Sequence, residues 1–141
     1  MKKTLLIAAL LLLCASSWGK DVYVKPKVVS GDTLKDGGRF YRLWGIQIPE
    51  GSWNKAAMAV LEEMTKGMEF KLLVDKKYPG VARFGLYNRS GNRQKNLSVL
   101  LLRMGLASFN PHDHPFYEGD AKRFRDAEKF AKEAKIGIWA Y

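Results

Sequence analysis

The chain has 141 residues, one cysteine, and 24 Lys and Arg against 14 Asp and Glu, a formal net charge of +10. That length suits one domain with a real core and is too short for two, and a single cysteine excludes an intrachain disulfide. The positive excess is spread along the chain; it suits a polyanionic partner such as nucleic acid, an anionic membrane or a cell-wall polymer, or serves solubility alone, and charge by itself does not choose among these.

Met1-Lys2-Lys3-Thr4 is followed by nine apolar residues, Leu5 to Leu13, and then by small residues through Gly19. These are the charged, apolar and small-residue zones of a secretory signal. The apolar run falls short of the roughly 20 residues that span a membrane, and no later stretch comes nearer. The expectation is a signal over 1–19 and a domain over 20–141, soluble and exported to a periplasm or to the medium. Cleavage after Gly19 removes Cys14 and lowers the net charge to +8 by taking Lys2 and Lys3. Lipid attachment at Cys14 is the rival, against which Leu13 is bulky where a lipoprotein signal wants a small residue.

Residues 21–29 are rich in Val and Tyr and predict a first strand, with Pro26 at an edge. Ser30-Gly31-Asp32-Thr33 predicts a turn into a short second strand, and Asp36-Gly37-Gly38 a hairpin turn. A third strand is predicted over 39–46, ended by Ile48-Pro49. Ala57, Val60, Leu61 and Met64 share one helical face between Trp53 and Lys66, with Gly67 at the cap position. Strands are predicted again over 68–74 and 81–87, separated by Tyr78-Pro79-Gly80 and followed by a polar excursion over 88–96.

Ser98 is the expected cap of a second helix carrying Leu101, Leu102 and Met104 and closed by Gly105. A third helix over 120–135 places Phe124, Ala127, Ala131 and Ala134 on one face, with Gly137 as its cap and Ile138 and Trp139 returning to the core. The fold class is therefore α+β, mainly β: a five-stranded oligonucleotide-binding barrel with one helix between strands three and four and two C-terminal helices.

The densest polar group lies near the ends of the first three strands: Asp32 in its turn, Arg42 inside an apolar strand, and Gln47 and Glu50 flanking Ile48-Pro49. Strand alternation puts Trp44 and Ile46 on the face of Arg42 if no bulge intervenes. A guanidinium there seeks an anion, which is either a bound phosphate or, structurally, Asp32 or Glu50.

Val29-Ser30-Gly31-Asp32-Thr33, Tyr41-Arg42-Leu43 and Gly45-Ile46-Gln47-Ile48-Pro49-Glu50 together resemble the paired-strand signature of the staphylococcal nuclease family. Arg103-Met104-Gly105-Leu106-Ala107, Ala127-Glu128 and Lys135-Ile136-Gly137-Ile138-Trp139 are similar to its helical C-terminal part. The resemblance implies calcium-dependent hydrolysis of phosphodiesters in DNA and/or RNA, and with the signal over 1–19 the expectation is an exported nuclease. Asp32 would then be a calcium ligand with Gln47 and the main chain of Ile48, Glu50 the base that activates water, and Arg42 and Arg83 the phosphate-neutralising arginines. A hard cation takes oxygen ligands and polarises a phosphoryl oxygen, while fixed guanidinium donors meet the developing charge.

Two positions depart from the family pattern. Gln47 stands where the family has an aspartate, which keeps an oxygen donor and loses a charge, and Ile48 replaces a threonine whose expected ligand is the carbonyl. Arg83 comes late after Tyr78-Pro79-Gly80, where the family has its arginine directly after Tyr-Gly. The alternative is thus a catalytically impaired nucleic-acid-binding module of the same family, and a third reading is an envelope protein whose charge binds acidic polymers.

Lys76, Lys77 and Tyr78, with Tyr87, Arg89 and Arg93, interleave cations and aromatic rings as a single-stranded or locally unpaired nucleic acid requires, or form an ordinary solvated loop. Pro111-His112-Asp113-His114-Pro115 sets two histidines and a carboxylate close together in a loop, with no cysteine or third histidine to complete a zinc set. No partner chain is implied, and a monomer is expected.

Overall fold

The computed structural model describes residues 22–75, 77–86, 96–113 and 118–141. The predicted signal over 1–19 lies outside them, and no helix among the described residues is long and apolar enough to cross a membrane.

Strands β1 (Val22–Val24) and β2 (Lys27–Val28) are two halves of the predicted first strand, parted at Lys25-Pro26. Proline offers no amide to a ladder, so pairing is interrupted there and each half finds a different neighbour. β2 pairs with β3 (Thr33–Asp36), and β3 turns through Gly37-Gly38 into β4 (Arg39–Leu43), with Asp36 opposite Arg39. β1 pairs with β6 (Phe70–Asp75), which pairs with β7 (Tyr78–Leu86). β7 then runs parallel to β4, with Arg42 opposite Val81 and Leu43 opposite Ala82. The strand order β1-β6-β7-β4-β3-β2 begins and ends on halves of one segment, so the sheet curls back on itself. This is the expected oligonucleotide-binding barrel.

The third strand is shorter than predicted. β4 stops at Leu43, Trp44 and Gly45 form a turn, and β5 (Ile46–Gln47) leaves the barrel to pair with β8 (Ser108–Phe109). The turn breaks the alternation expected beyond Arg42: Trp44 and Ile46 are buried with Tyr41 and Leu43, while Arg42 is half-exposed. β7 begins at Tyr78, three residues before the predicted start. Pro79 is tolerated because it lies within the register shift, between the pairs Asp75–Tyr78 and Val74–Ala82, where it has no partner in β6.

Helix α1 (Ser52–Thr65) buries Ala57, Leu61 and Thr65 and leaves Met64 exposed. The Thr65 hydroxyl is satisfied by the Leu61 carbonyl at 2.7 Å. Helix α2 (Leu97–Arg103) is capped by Asn96, not Ser98: the Asn96 side-chain oxygen accepts from the amides of Ser98 at 2.8 Å and Val99 at 3.3 Å. Ser98 is inside the helix and buried, its hydroxyl donating to the Trp44 carbonyl at 2.7 Å. Met104, expected on the inner face, is exposed.

Helix α3 (Glu118–Ala134) buries Phe124, Ala127 and Ala131, while Ala134 is exposed in the last turn. Its closing left-handed residue is Lys135, φ 52°, followed by the amide of Ile136 bonding the Ala131 carbonyl at 3.2 Å. Gly137, the expected cap, instead opens a short 3₁₀ turn (Gly137–Trp139) in which Ile138 and Trp139 are half-buried. One apolar cluster joins Leu34, Tyr41, Leu43, Phe70 and Ala82 of the barrel to Leu61 of α1, Leu101 and Leu102 of α2 and Phe124 of α3. Full burial of side chains of this size contributes about 1.5–3 kcal/mol each.

Candidate nucleic-acid and phosphate site

Gly31 explains why the turn before β3 has a defined place. Its amide donates to Asn54 Oδ1 of α1 at 3.1 Å, and a Cβ on Gly31 would stand 2.8 Å from the Asn54 carbonyl oxygen. Only glycine allows that approach. The turn is thereby fixed to the first turn of α1, just after Glu50.

Asp32, next along, has one carboxylate oxygen held by the hydroxyls of Ser30 at 2.9 Å and Thr33 at 3.0 Å. Its main-chain carbonyl accepts the amide of Leu43 at 2.6 Å, and Thr33 stands opposite Arg42 in the ladder. The structure therefore brings Asp32 and Arg42 together through adjacent strands.

Arg42 has a partner that local sequence does not announce. Its Nη1 and Nη2 donate to the two oxygens of Asp113 at 2.8 and 2.5 Å, and Nη1 also reaches the Leu43 carbonyl at 3.4 Å. Asp113 is buried and accepts in addition the amide of Gly45 at 2.8 Å. The structural partner of Arg42 is thus neither Asp32 nor Glu50. The hydrogen bond that Arg42 donates to Asp113 raises the Arg42 pKa further above its ordinary value; burial opposes this, and the charges of Asp113 and Asp32 add to it. The guanidinium stays charged throughout the working pH range.

The other expected residues fall as follows. Gln47 is exposed in β5, its main-chain carbonyl accepting the Ser108 hydroxyl at 3.3 Å. Ile48 is buried, and Glu50 is exposed in the turn that leads into α1. Arg83 follows Ala82 in β7 and pairs with Leu73, two positions beyond the ladder partner of Arg42. Lys77 lies over the Tyr78 ring at 5.9 Å where β6 turns into β7. Lys76, Tyr87, Arg89, Arg93 and His114 lie outside the described residues, and His112 is exposed.

The residue that sequence reasoning missed is Asp113, 71 positions from Arg42. Its only local signal was the Pro-His-Asp-His-Pro run, which suggested a metal. Among the described residues no group of three or more His, Cys, Asp or Glu is gathered for one.

A barrel of this topology, with the half-exposed Arg42 guanidinium beside the Asp32 turn, is consistent with a nuclease-like or nucleic-acid-binding module. Residues 41–141 match the family model of the staphylococcal nuclease homologues, and the chain belongs to that family. The match takes in Arg42, Gln47, Glu50 and Arg83 and begins after Asp32. No curated protein matches the chain.

Proposed function

We propose that the protein hydrolyses phosphodiester bonds in single-stranded or locally unpaired DNA or RNA, with the help of a hard divalent cation, calcium being the expected one. The observation that supports this reading is the nearness of Asp32 to Arg42: Thr33, the next residue, is the ladder partner of Arg42, and the Leu43 amide is bonded to the Asp32 carbonyl at 2.6 Å.

The donor set is compatible with such a cation. Asp32 Oδ2 has no hydrogen-bond partner among the described residues, and the Gln47 amide oxygen, the Ile48 carbonyl and the Glu50 carboxylate supply only oxygen. A set of oxygens with at most two carboxylates suits calcium or magnesium held weakly, and not zinc. Asp32, Gln47 and the main chain of Ile48 would hold the ion. When bound, it supplies Lewis-acid polarisation of the phosphoryl oxygen.

The protein's own groups supply the rest. The Glu50 carboxylate takes a proton from the attacking water, as general-base catalysis requires. The Arg42 guanidinium donates to the phosphate oxygens on which charge accumulates, and being fixed beforehand it needs no reorganisation at that moment. Arg83, in β7, is proposed as the second cationic donor.

A second reading, a nucleic-acid-binding module with impaired catalysis, has specific support in the neutral Gln47 and in the charge of Arg42 being already met by Asp113. One experiment separates the two. Labelled single-stranded DNA and RNA are incubated with the purified protein in calcium, in manganese and in chelator, beside Glu50→Gln. The expected outcome is metal-dependent cutting that falls about 10²- to 10⁴-fold in the variant. Intact substrate at high protein concentration, together with salt-sensitive binding, would overturn hydrolysis and leave the binding module.

A further inference from the structure

Arg42 carries five N–H donors in a rigid planar fork, and the structure accounts for three of them. Nη1 and Nη2 each give one hydrogen to Asp113, and the second hydrogen of Nη1 leans on the Leu43 carbonyl. The remaining two, Nε–H and the outer hydrogen of Nη2, lie parallel along one edge of the guanidinium. No acceptor among the described residues meets that edge, and the side chain keeps 36% of its surface exposed. Two parallel donors on one edge are the geometry that grips two oxygens of a phosphate at once.

Asp113 decides which edge is left over. Its carboxylate is only 7% exposed and receives three N–H groups, two from Arg42 and one from Gly45. The loop that carries it is tied to the same turn, the Asn110 amide bonding the Gly45 carbonyl at 2.9 Å. The Asn110 side chain in turn accepts the His112 amide at 3.1 Å. A carboxylate held in this way cannot swing aside without orphaning buried donors.

We infer that Asp113 is a positioning residue for phosphate recognition: it occupies the end of the Arg42 guanidinium and turns the Nε–Nη2 edge outward to receive two phosphate oxygens. The inference rests on the phosphodiester reading of the site and goes beyond it in naming the donor edge and the acid that aims it. In the free protein the same carboxylate compensates the arginine charge, so ground-state affinity is held down while orientation is kept.

Asp113→Asn preserves size but offers one acceptor oxygen and opposes an NH₂ group to a guanidinium N–H. The expected result is a kcat at least 10-fold lower with a KM that does not rise, because the arginine charge is no longer compensated. Arg42→Lys, which lacks the fork, is expected to lower kcat as well, and the double variant to lose little more than the worse single one. A variant that is less heat-stable yet keeps wild-type kcat and KM when folded would overturn the inference.

Nuclear magnetic resonance of the wild-type guanidinium groups, titrated with oligothymidylate in chelator, needs neither a variant that folds nor cleavage. The Arg42 Nε–H signal, assigned by its loss in Arg42→Lys, should shift on binding while the Nη signals held by Asp113 stay. Movement of the Nη signals in its place, or an unmoved Nε–H at saturation, would mean that phosphate does not use this edge. A protein that binds without cutting removes the hydrolytic reading and leaves this titration to decide the orientation by itself.

Discussion

Gln47 is exposed, and only its main chain takes part in the β5–β8 ladder and in the bond from the Ser108 hydroxyl. A change of side chain there leaves every observed contact of the residue intact. Gln47→Asp is therefore expected to keep stability within about 0.5 kcal/mol, as exposed substitutions usually do, while restoring the charge that a hard cation prefers. Calorimetric titration should show calcium binding at least ~10-fold tighter than in the wild type, charged-ligand count being a main determinant of affinity. An unchanged affinity would remove residue 47 from the ligand set. The nearness of Asp32 and Arg42 was legible in sequence, because the turn that holds Asp32 and the strand that holds Arg42 flank one short hairpin. Asp113 was not legible, because its partner lies 71 residues away and the pairing is made only when the loop after β8 docks on Gly45.

At the scale of elements, the barrel strands were readable from alternation and from their turn residues, whereas β5 and β8, two residues each, are too short to leave a periodic signal. The helix ends show a different limit. Asn96 and Ser98 are both good capping residues, and only the register of α2 against the barrel, with Ser98 buried under the Trp44 carbonyl, selects the first. The contact between Gly105 and Gly137 joins the end of α2 to the 3₁₀ turn. The Ile138 amide bonds the Gly105 carbonyl at 2.8 Å, both glycines have positive φ, and a Cβ on either would collide with main-chain oxygen of the facing segment. Gly105→Ala and Gly137→Ala should each cost more than about 1 kcal/mol, since left-handed strain and the lost approach add. Thermal denaturation of the two single variants and the double checks this. Because the two share one contact, the double should lose less than the sum, and strict additivity would show that the segments do not depend on each other.

For the whole molecule the issue is whether the positive charge or the site governs binding. Charge of this size attracts any polyanion, with a steep dependence on salt, and the sequence alone left an acidic envelope polymer as an alternative to nucleic acid. The barrel changes that balance, because it sets aromatic and cationic side chains on the same elements: Lys77 over Tyr78 where β6 turns into β7, and Lys35 over the exposed Phe40 in the β3–β4 hairpin, at 5.9 and 5.3 Å. Bases can stack on such rings, each stack contributing about 1–3 kcal/mol; a non-nucleic polyanion offers phosphate or sulfate alone. Single-stranded DNA is thus expected to outcompete inorganic polyphosphate of equal charge, and to keep that advantage as salt rises, since stacking is not screened. For about four neutralised phosphates, a single-strand slope near −0.7 per phosphate lowers affinity ~50-fold between 50 and 200 mM salt. Polyphosphate that competes as well as DNA at every salt concentration would assign the binding to charge alone and favour the envelope polymer over nucleic acid.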